Sequence, residues 1–241
     1  MRLDQNHLLK CYGYQILRHG DLKSYNSLKQ EFSDWLHDKT AQFIKRGSLE
    51  GWSLESYHNA LEGAKVDHHA LIKEIKRQLP NEFSHHPYIK KMVAVASDCT
   101  KTKLKIYNDK LEFRVCRPSL SDNNPLHRDH WFPYFTPLLN VYLPMSGSYV
   151  DSAMQVVPRS HLWSDEDVVP TFPYEGGKPV KGSVAYSVPE IASSAKKIEP
   201  HRPDIIPGDF MLFSPLCVHG GGSNSSHETR FSFEIRLTDE L

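Results

Sequence analysis

From about residue 100 onward the sequence breaks into short runs of strand-forming residues, each closed off by Pro, Gly, Ser or Asn. KLKIY and LEFRVC come first, followed by LLNVYL, MQVVP, DFMLF and RFSFEIRL. Alternation with a period of two marks a strand with one face in a core. Several short strands of this kind argue for a β-sandwich or jelly roll rather than a βαβ sheet. Asn108-Asp109-Lys110, between the first two runs, predicts a hairpin.

The first hundred residues have a different texture. Leu22, Tyr25, Leu28, Phe32, Trp35 or Leu36, and Phe43 keep the spacing of one apolar helical stripe, and Gly47 suits the stop. A short helix is predicted to open at Ser53. A third runs from about Asp67 to Leu79, ended by Pro80, which removes a donor and restricts the residue before it. HPYIKKMVAVASDC predicts a fourth, and GYQIL at 13–17 a lone strand. The whole chain of 241 residues is thus expected to form one domain. Residues 1–100 supply mainly helical support and 101–241 the jelly-roll core. Residues 163–206, rich in proline and carrying Gly176-Gly177, form a lid-like insertion.

Composition narrows the partners. Lys plus Arg and Asp plus Glu balance at 29 each, so no electrostatic footprint for nucleic acid or anionic membrane is present, and a small-molecule substrate is expected. No 18-residue apolar run occurs, and the N-terminal stretch lacks the basic-then-apolar pattern of a secretory signal. A cytoplasmic location is the expectation. Oligomeric state leaves no mark in the sequence. Cys11, Cys99, Cys116 and Cys217 stand far apart without a Cys-x-x-Cys pair, which predicts reduced thiols rather than a zinc ribbon or disulfide framework.

The chemistry concentrates in LHRDHWFPYF, residues 126–135. On an extended segment positions two apart share a face, so His127 and Asp129 project together while Arg128 and His130 point away. A third metal ligand must come from elsewhere, and PGDFMLFSPLCVHGGG offers His219, ninety positions beyond Asp129 and followed by Gly220, Gly221 and Gly222. Two histidines and a carboxylate form the facial triad of non-haem Fe(II) oxygenases, with positions left for a cosubstrate and O2. A cosubstrate carboxylate calls for an arginine fork. Arg230 follows His219 by eleven positions, with Ser232 on the same strand face; Arg236 shares that face. Phe231, Phe233, Ile235 and Leu237 face the other way, toward the helices. Asn140 is a candidate for a cosubstrate or ligand-supporting hydrogen bond. Arg114 is placed to reach the cosubstrate or to form a structural salt bridge, and Trp131 to line the substrate cavity or the core.

His127-Arg128-Asp129, then His219, then Arg230-Phe231-Ser232 resemble the signature of Fe(II)/2-oxoglutarate-dependent dioxygenases. GYQIL, LLNVYLP, MQVVPRSH and PGDFMLFSPLCVHGGGSNSS are similar to stretches of one branch, the phytanoyl-CoA dioxygenase family. The resemblance runs in order over nearly the whole chain and is dense from about 112 to 237. It departs where that family usually has Pro-Gly-Ser-His and this chain has Pro158-Arg159-Ser160-His161. The resemblance implies a double-stranded β-helix (cupin-like jelly roll) holding Fe(II), 2-oxoglutarate and O2. His127, Asp129 and His219 would hold the metal, Arg230 the far carboxylate, and succinate and CO2 would be released. Related halogenases have a small residue at the carboxylate position, so Asp129 points to hydroxylation or another oxidation. The alternatives are a cupin-like metal enzyme that needs no 2-oxoglutarate and a non-catalytic jelly-roll binding module.

Overall fold

A computed structural model describes residues 7–45, 49–120, 122–132, 135, 138–171, 174–175, 178–179 and 188–240. The helices are α1 (His7–Tyr12), α2 (Leu22–Ile44), α3 (Tyr57–Ala60), α4 (His68–Arg77) and α5 (Pro87–Thr100). Their ends are set by local chemistry. Asp21 caps α2 by accepting from the Ser24 N–H at 3.0 Å, and Lys45 closes it in the left-handed conformation at φ 56. Gly47, expected as the stop, lies outside the described residues. Asp67 caps α4, and α5 opens with Pro87 at a first-turn position where the missing N–H costs nothing. The helix expected from Ser53 starts later: Ser53 and Ser56 exchange hydroxyl and backbone hydrogen bonds in a turn before α3.

The strands are β1 (Tyr14–Arg18), β2 (Leu104–Cys116), β3 (Leu139–Ser146), β4 (Gln155–Val156), β5 (Val168–Pro170), β6 (Tyr174–Glu175), β7 (Lys178–Pro179), β8 (Ile191–Ser194), β9 (Asp209–Phe213), β10 (His219–Gly220) and β11 (Arg230–Asp239). A five-stranded antiparallel sheet has the order β1-β9-β3-β11-β2. Facing it is a second, narrower layer in which His127 bridges His219, β10 pairs with β4, and Val156 bridges His201. Two antiparallel layers with this interleaved connectivity make a double-stranded β-helix with flanking helices. Hairpin β5–β8 lies in the expected insertion, of which residues 172–173, 176–177 and 180–187, Gly176-Gly177 included, fall outside the described residues.

Two expectations change. GYQIL is no lone strand: β1 pairs along its length with β9, Tyr14 opposite Phe213 and Arg18 opposite Asp209. The hairpin at 108–110 is absent. Both flanking runs belong to β2, and both pair with β11 across a register shift between Ile235 and Leu237. Asn108 and Asp109 take positive φ (55 and 51), the conformation of a hairpin turn, but here it serves a bulge within one strand.

The outer face of the larger sheet carries Phe113, Val115, Val141, Leu143, Phe231 and Phe233, all buried against α2, α4 and α5. Phe32 of α2 sits at the centre, fully buried, with ring centroids of Phe83, Phe113, Phe231, Phe233 and Trp35 within 4.8–6.1 Å. Leu36 rather than Trp35 is the fully buried member of the stripe, while Leu22 and Phe43 at its ends remain exposed. Between the layers, Tyr142, Met154, Val156, Ile205, Met211, Phe213 and Cys217 form a second apolar cluster. The cysteines form no disulfide. Among the described residues no helix is long and apolar enough to cross a membrane.

Candidate metal centre

His127 and His219 stand opposite each other across the narrower layer, locked by two backbone hydrogen bonds of 2.8 and 2.9 Å. Each ring is oriented by its own chain. His127 Nδ1 lies 2.8 Å from the Pro125 carbonyl and His219 Nδ1 lies 2.9 Å from the Cys217 carbonyl. A carbonyl only accepts, so both Nδ1 atoms carry the proton and both Nε2 atoms present lone pairs. Asp129 follows His127 in a 3-10 turn, Asp129–Trp131, and brings Oδ1 to 3.4 Å from His127 Nε2 and 3.8 Å from His219 Nε2. The three ligand atoms lie within 4.8 Å of one another, and all three residues are buried.

Three acceptors that converge out of water repel one another unless a cation sits among them. Ligands about 2.1 Å from an ion and at right angles around it are roughly 3 Å apart, and the carboxylate–imidazole separations of 3.4 and 3.8 Å are somewhat wider. The donor set therefore fits a divalent transition metal. Burial and the neighbouring His127 push His219 down to about 4, which leaves its imidazole neutral and able to bind metal at neutral pH. Burial opposes charge on Asp129, but the positive Arg236 guanidinium beside it helps to hold its carboxyl below the usual carboxylate range.

Gly220 permits this approach of strands. A Cβ there would lie 2.8 Å from the Pro125 carbonyl oxygen and 3.0 Å from the Leu126 nitrogen, both backbone atoms. Arg128, projecting the other way, is fully buried and donates to Asp165 Oδ1 (3.1 Å), the Ser160 carbonyl (2.6 Å) and the Trp163 carbonyl (3.0 Å). It fastens the ligand segment to the Pro158–His161 turn. In that turn Arg159 has φ 68, so the position at which the resembled family has glycine still adopts the conformation that glycine favours.

Asp129, Asn140, Phe213, His219, Glu234 and Arg236 line a small cavity at the three ligands. Asn140 Nδ2 donates to Asp129 Oδ2 at 3.0 Å. Arg230 is buried deeper: its Nη1 donates to the Ser152 and Gly221 carbonyls and its Nη2 contacts Cys116 Sγ. Arg230 Nε, the Ser232 hydroxyl and Arg236 Nε are buried with no partner among the described residues, which leaves three donors for an anion on this strand face. Arg114 is tied up in an ion pair, Nε to Glu234 Oε2 at 2.8 Å. Burial works against the Glu234 charge, but Arg114 prevails and holds the carboxyl below its ordinary value. Trp131 stands apart from the ligands. The 3-10 turn ends the extended parity, and the indole packs beside Val157, Val168 and Val218.

Sequence reading missed Glu234 as a cavity residue and named Arg236 only as a second arginine on the anchor's face. The signal was present in RFSFEIRL: both share the parity of Arg230 and Ser232 on β11.

The phytanoyl-CoA dioxygenase (PhyH) family model matches residues 16–232. No curated protein sequence matches the chain. Among solved structures, the epimerase SnoN in complex with Fe3+, alpha ketoglutarate and nogalamycin RO is 17% identical, with 98% of this chain and 82% of that one covered at a TM-score of 0.57. EctD from S. alaskensis with 2-oxoglutarate and 5-hydroxyectoine is 12% identical, with 99% and 76% covered at 0.57. AviO1 from Streptomyces viridochromogenes Tue57 is 13% identical, with 98% and 94% covered at 0.55. At these identities the likeness is one of fold.

Proposed function

The chain belongs to the phytanoyl-CoA dioxygenase family, and we propose that it is a non-haem Fe(II)- and 2-oxoglutarate-dependent oxygenase that hydroxylates a small metabolite or a carrier- or sugar-linked intermediate. The observation that carries this reading is the convergence of His127 Nε2, His219 Nε2 and Asp129 Oδ1 on one buried point beside a polar cavity. Iron and 2-oxoglutarate bound there would supply oxidation by O2, with succinate and CO2 as the co-products.

The chain's own residues divide the remaining work. His127, Asp129 and His219 would hold the metal. Arg230 and Ser232 offer their unpartnered donors to the far carboxylate of 2-oxoglutarate, and Asn140 steadies Asp129. Glu234, held by its ion pair with Arg114, forms a polar wall of the cavity. Phe213, edge-on to the His219 ring at 4.8 Å between centroids, shields that ligand from water.

The test is succinate formation from 2-oxoglutarate by anaerobically purified, Fe(II)-loaded protein exposed to O2, with Asp129→Ala and Arg230→Ala alongside. Turnover that both substitutions abolish supports the proposal and opens a substrate screen by stimulation of that turnover. Turnover indifferent to Arg230→Ala would transfer the chain to the cupin-like reading. If metal-loaded protein neither binds nor turns over 2-oxoglutarate, the oxygenase assignment fails.

A further inference from the structure

Asp129 has two oxygens in opposite surroundings. Among the described residues Oδ1 faces the Nε2 lone pairs of His127 and His219. Oδ2 receives two N–H donors, Asn140 Nδ2 at 3.0 Å and Arg236 Nη2 at 3.2 Å. These two residues sit directly opposite each other on neighbouring strands β3 and β11, so the sheet register itself delivers both to the same atom. The Arg236 guanidinium is held in turn: its Cζ lies 3.9 Å from the centre of the Phe135 ring, and the side chain is mostly buried.

We infer that Arg236, together with Asn140, is a positioning residue that keeps Asp129 a one-oxygen ligand by holding Oδ2 away from the metal. The inference rests on the metal reading above and adds a reason for this pair. A six-coordinate ion bound by two imidazoles and one carboxylate oxygen keeps three positions, enough for a two-point keto acid chelate and O2. If Asp129 swung to bind through both oxygens, two positions would remain, the chelate would fill them, and O2 would find none. Two donors on Oδ2, one of them cationic, oppose that swing.

The experiment loads the unsubstituted protein, Arg236→Gln, Arg236→Lys and Asn140→Ala with Co(II), a spectroscopic stand-in, and follows metal affinity by calorimetry, the visible ligand-field spectrum, and 2-oxoglutarate binding. Circular dichroism selects the variants that fold. Arg236→Gln is expected to weaken Co(II) binding about 10–100-fold and to change the spectrum. Arg236→Lys should recover part of both, and Asn140→Ala should produce a smaller change in the same direction. An Arg236→Gln spectrum and affinity equal to those of the unsubstituted protein would overturn the inference. So would loss of 2-oxoglutarate binding with Co(II) affinity intact, which would make Arg236 the cosubstrate anchor. Failure of the unsubstituted protein to bind Co(II) would refute the metal reading, and this inference with it.

Discussion

Replacing Gly220 with alanine tests whether the strand pairing sets the metal geometry. The new methyl would start 2.8 Å from the Pro125 carbonyl oxygen, whereas ordinary contact begins near 3.4 Å, so the facing segment must withdraw by about 0.6 Å. That segment is main chain and has no rotamer to change. The displaced carbonyl is also the acceptor that fixes the His127 ring. The push therefore reaches the ligand through the atom that orients it, and it strains the two His127–His219 backbone hydrogen bonds as well. A functional constellation tolerates displacements of about 0.5 Å. Metal affinity should fall about 10–100-fold, with a stability cost of about 1–3 kcal/mol for overpacking. Co(II) titration calorimetry reads the first quantity and urea denaturation of the metal-free protein the second. Affinity within twofold of the parent, in a variant that does pay the stability cost, would show that His127 is held independently of this contact, and the reasoning would fail.

Other perturbations separate the supporting parts. Phe32→Ala removes the ring on which five others converge and should cost about 3–5 kcal/mol; at about 2–4 °C per kcal/mol, calorimetry should show a fall of roughly 6–20 °C, and a shift of only a degree or two would mean that the helices are anchored elsewhere. Saturating Co(II), at about a hundred times its dissociation constant, should stabilise the protein by about 2.7 kcal/mol; a chelator should reverse the gain and Asp129→Ala abolish it, so a gain surviving Asp129→Ala would place the ion elsewhere. The metal-free protein should weaken as pH falls from about 6.5 to 4, because burial and Arg117 hold His68, and burial and His127 hold His219, to about 4 in the folded chain while the unfolded chain takes up protons first. Their contribution is intact above 6.5 and lost across that window, up to about 3 kcal/mol for each group; His68→Gln should flatten the dependence in urea titrations, and an unchanged slope would contradict it. Glu234→Leu leaves Arg114 with Glu112 at 3.8 Å as its remaining carboxylate and should cost about 1–3 kcal/mol, part of which Arg114→Met should restore in the double variant. Additive costs would mean that the pair is not coupled.

What the sequence disclosed follows from which features are periodic. The apolar stripe around Phe32 and the two faces of RFSFEIRL were legible because burial repeats along a single element. The meeting of His127, Asp129 and His219 was legible because His127 and Asp129 are neighbours and His219 lies among glycines. Asn108-Asp109 misled because turns and bulges draw on the same residues for the same left-handed backbone, and only the partner strand distinguishes them. Parity failed at Trp131 because a 3-10 turn interrupts the extended segment after His127. The pairing of β1 with β9 and the meeting of Arg236 and Asn140 on one carboxylate oxygen depend on register between distant strands, which no local pattern encodes.

The place of β11 in the larger sheet sets the order in which the molecule can be completed during synthesis. This last strand lies between β2 and β3, and residues 104–116 find their partners only in 230–239. Until residues 230–239 leave the ribosome, β2 and β3 present unpaired edges and the Phe32 cluster lacks Phe231 and Phe233. Such long-range pairing is slow to form. A nascent chain stalled short of residue 230 would already hold His127, Asp129 and His219 without the strand that braces them, making it both adhesive and a poor metal site. Loss of residues 230–239 therefore threatens this molecule far more than loss of α1.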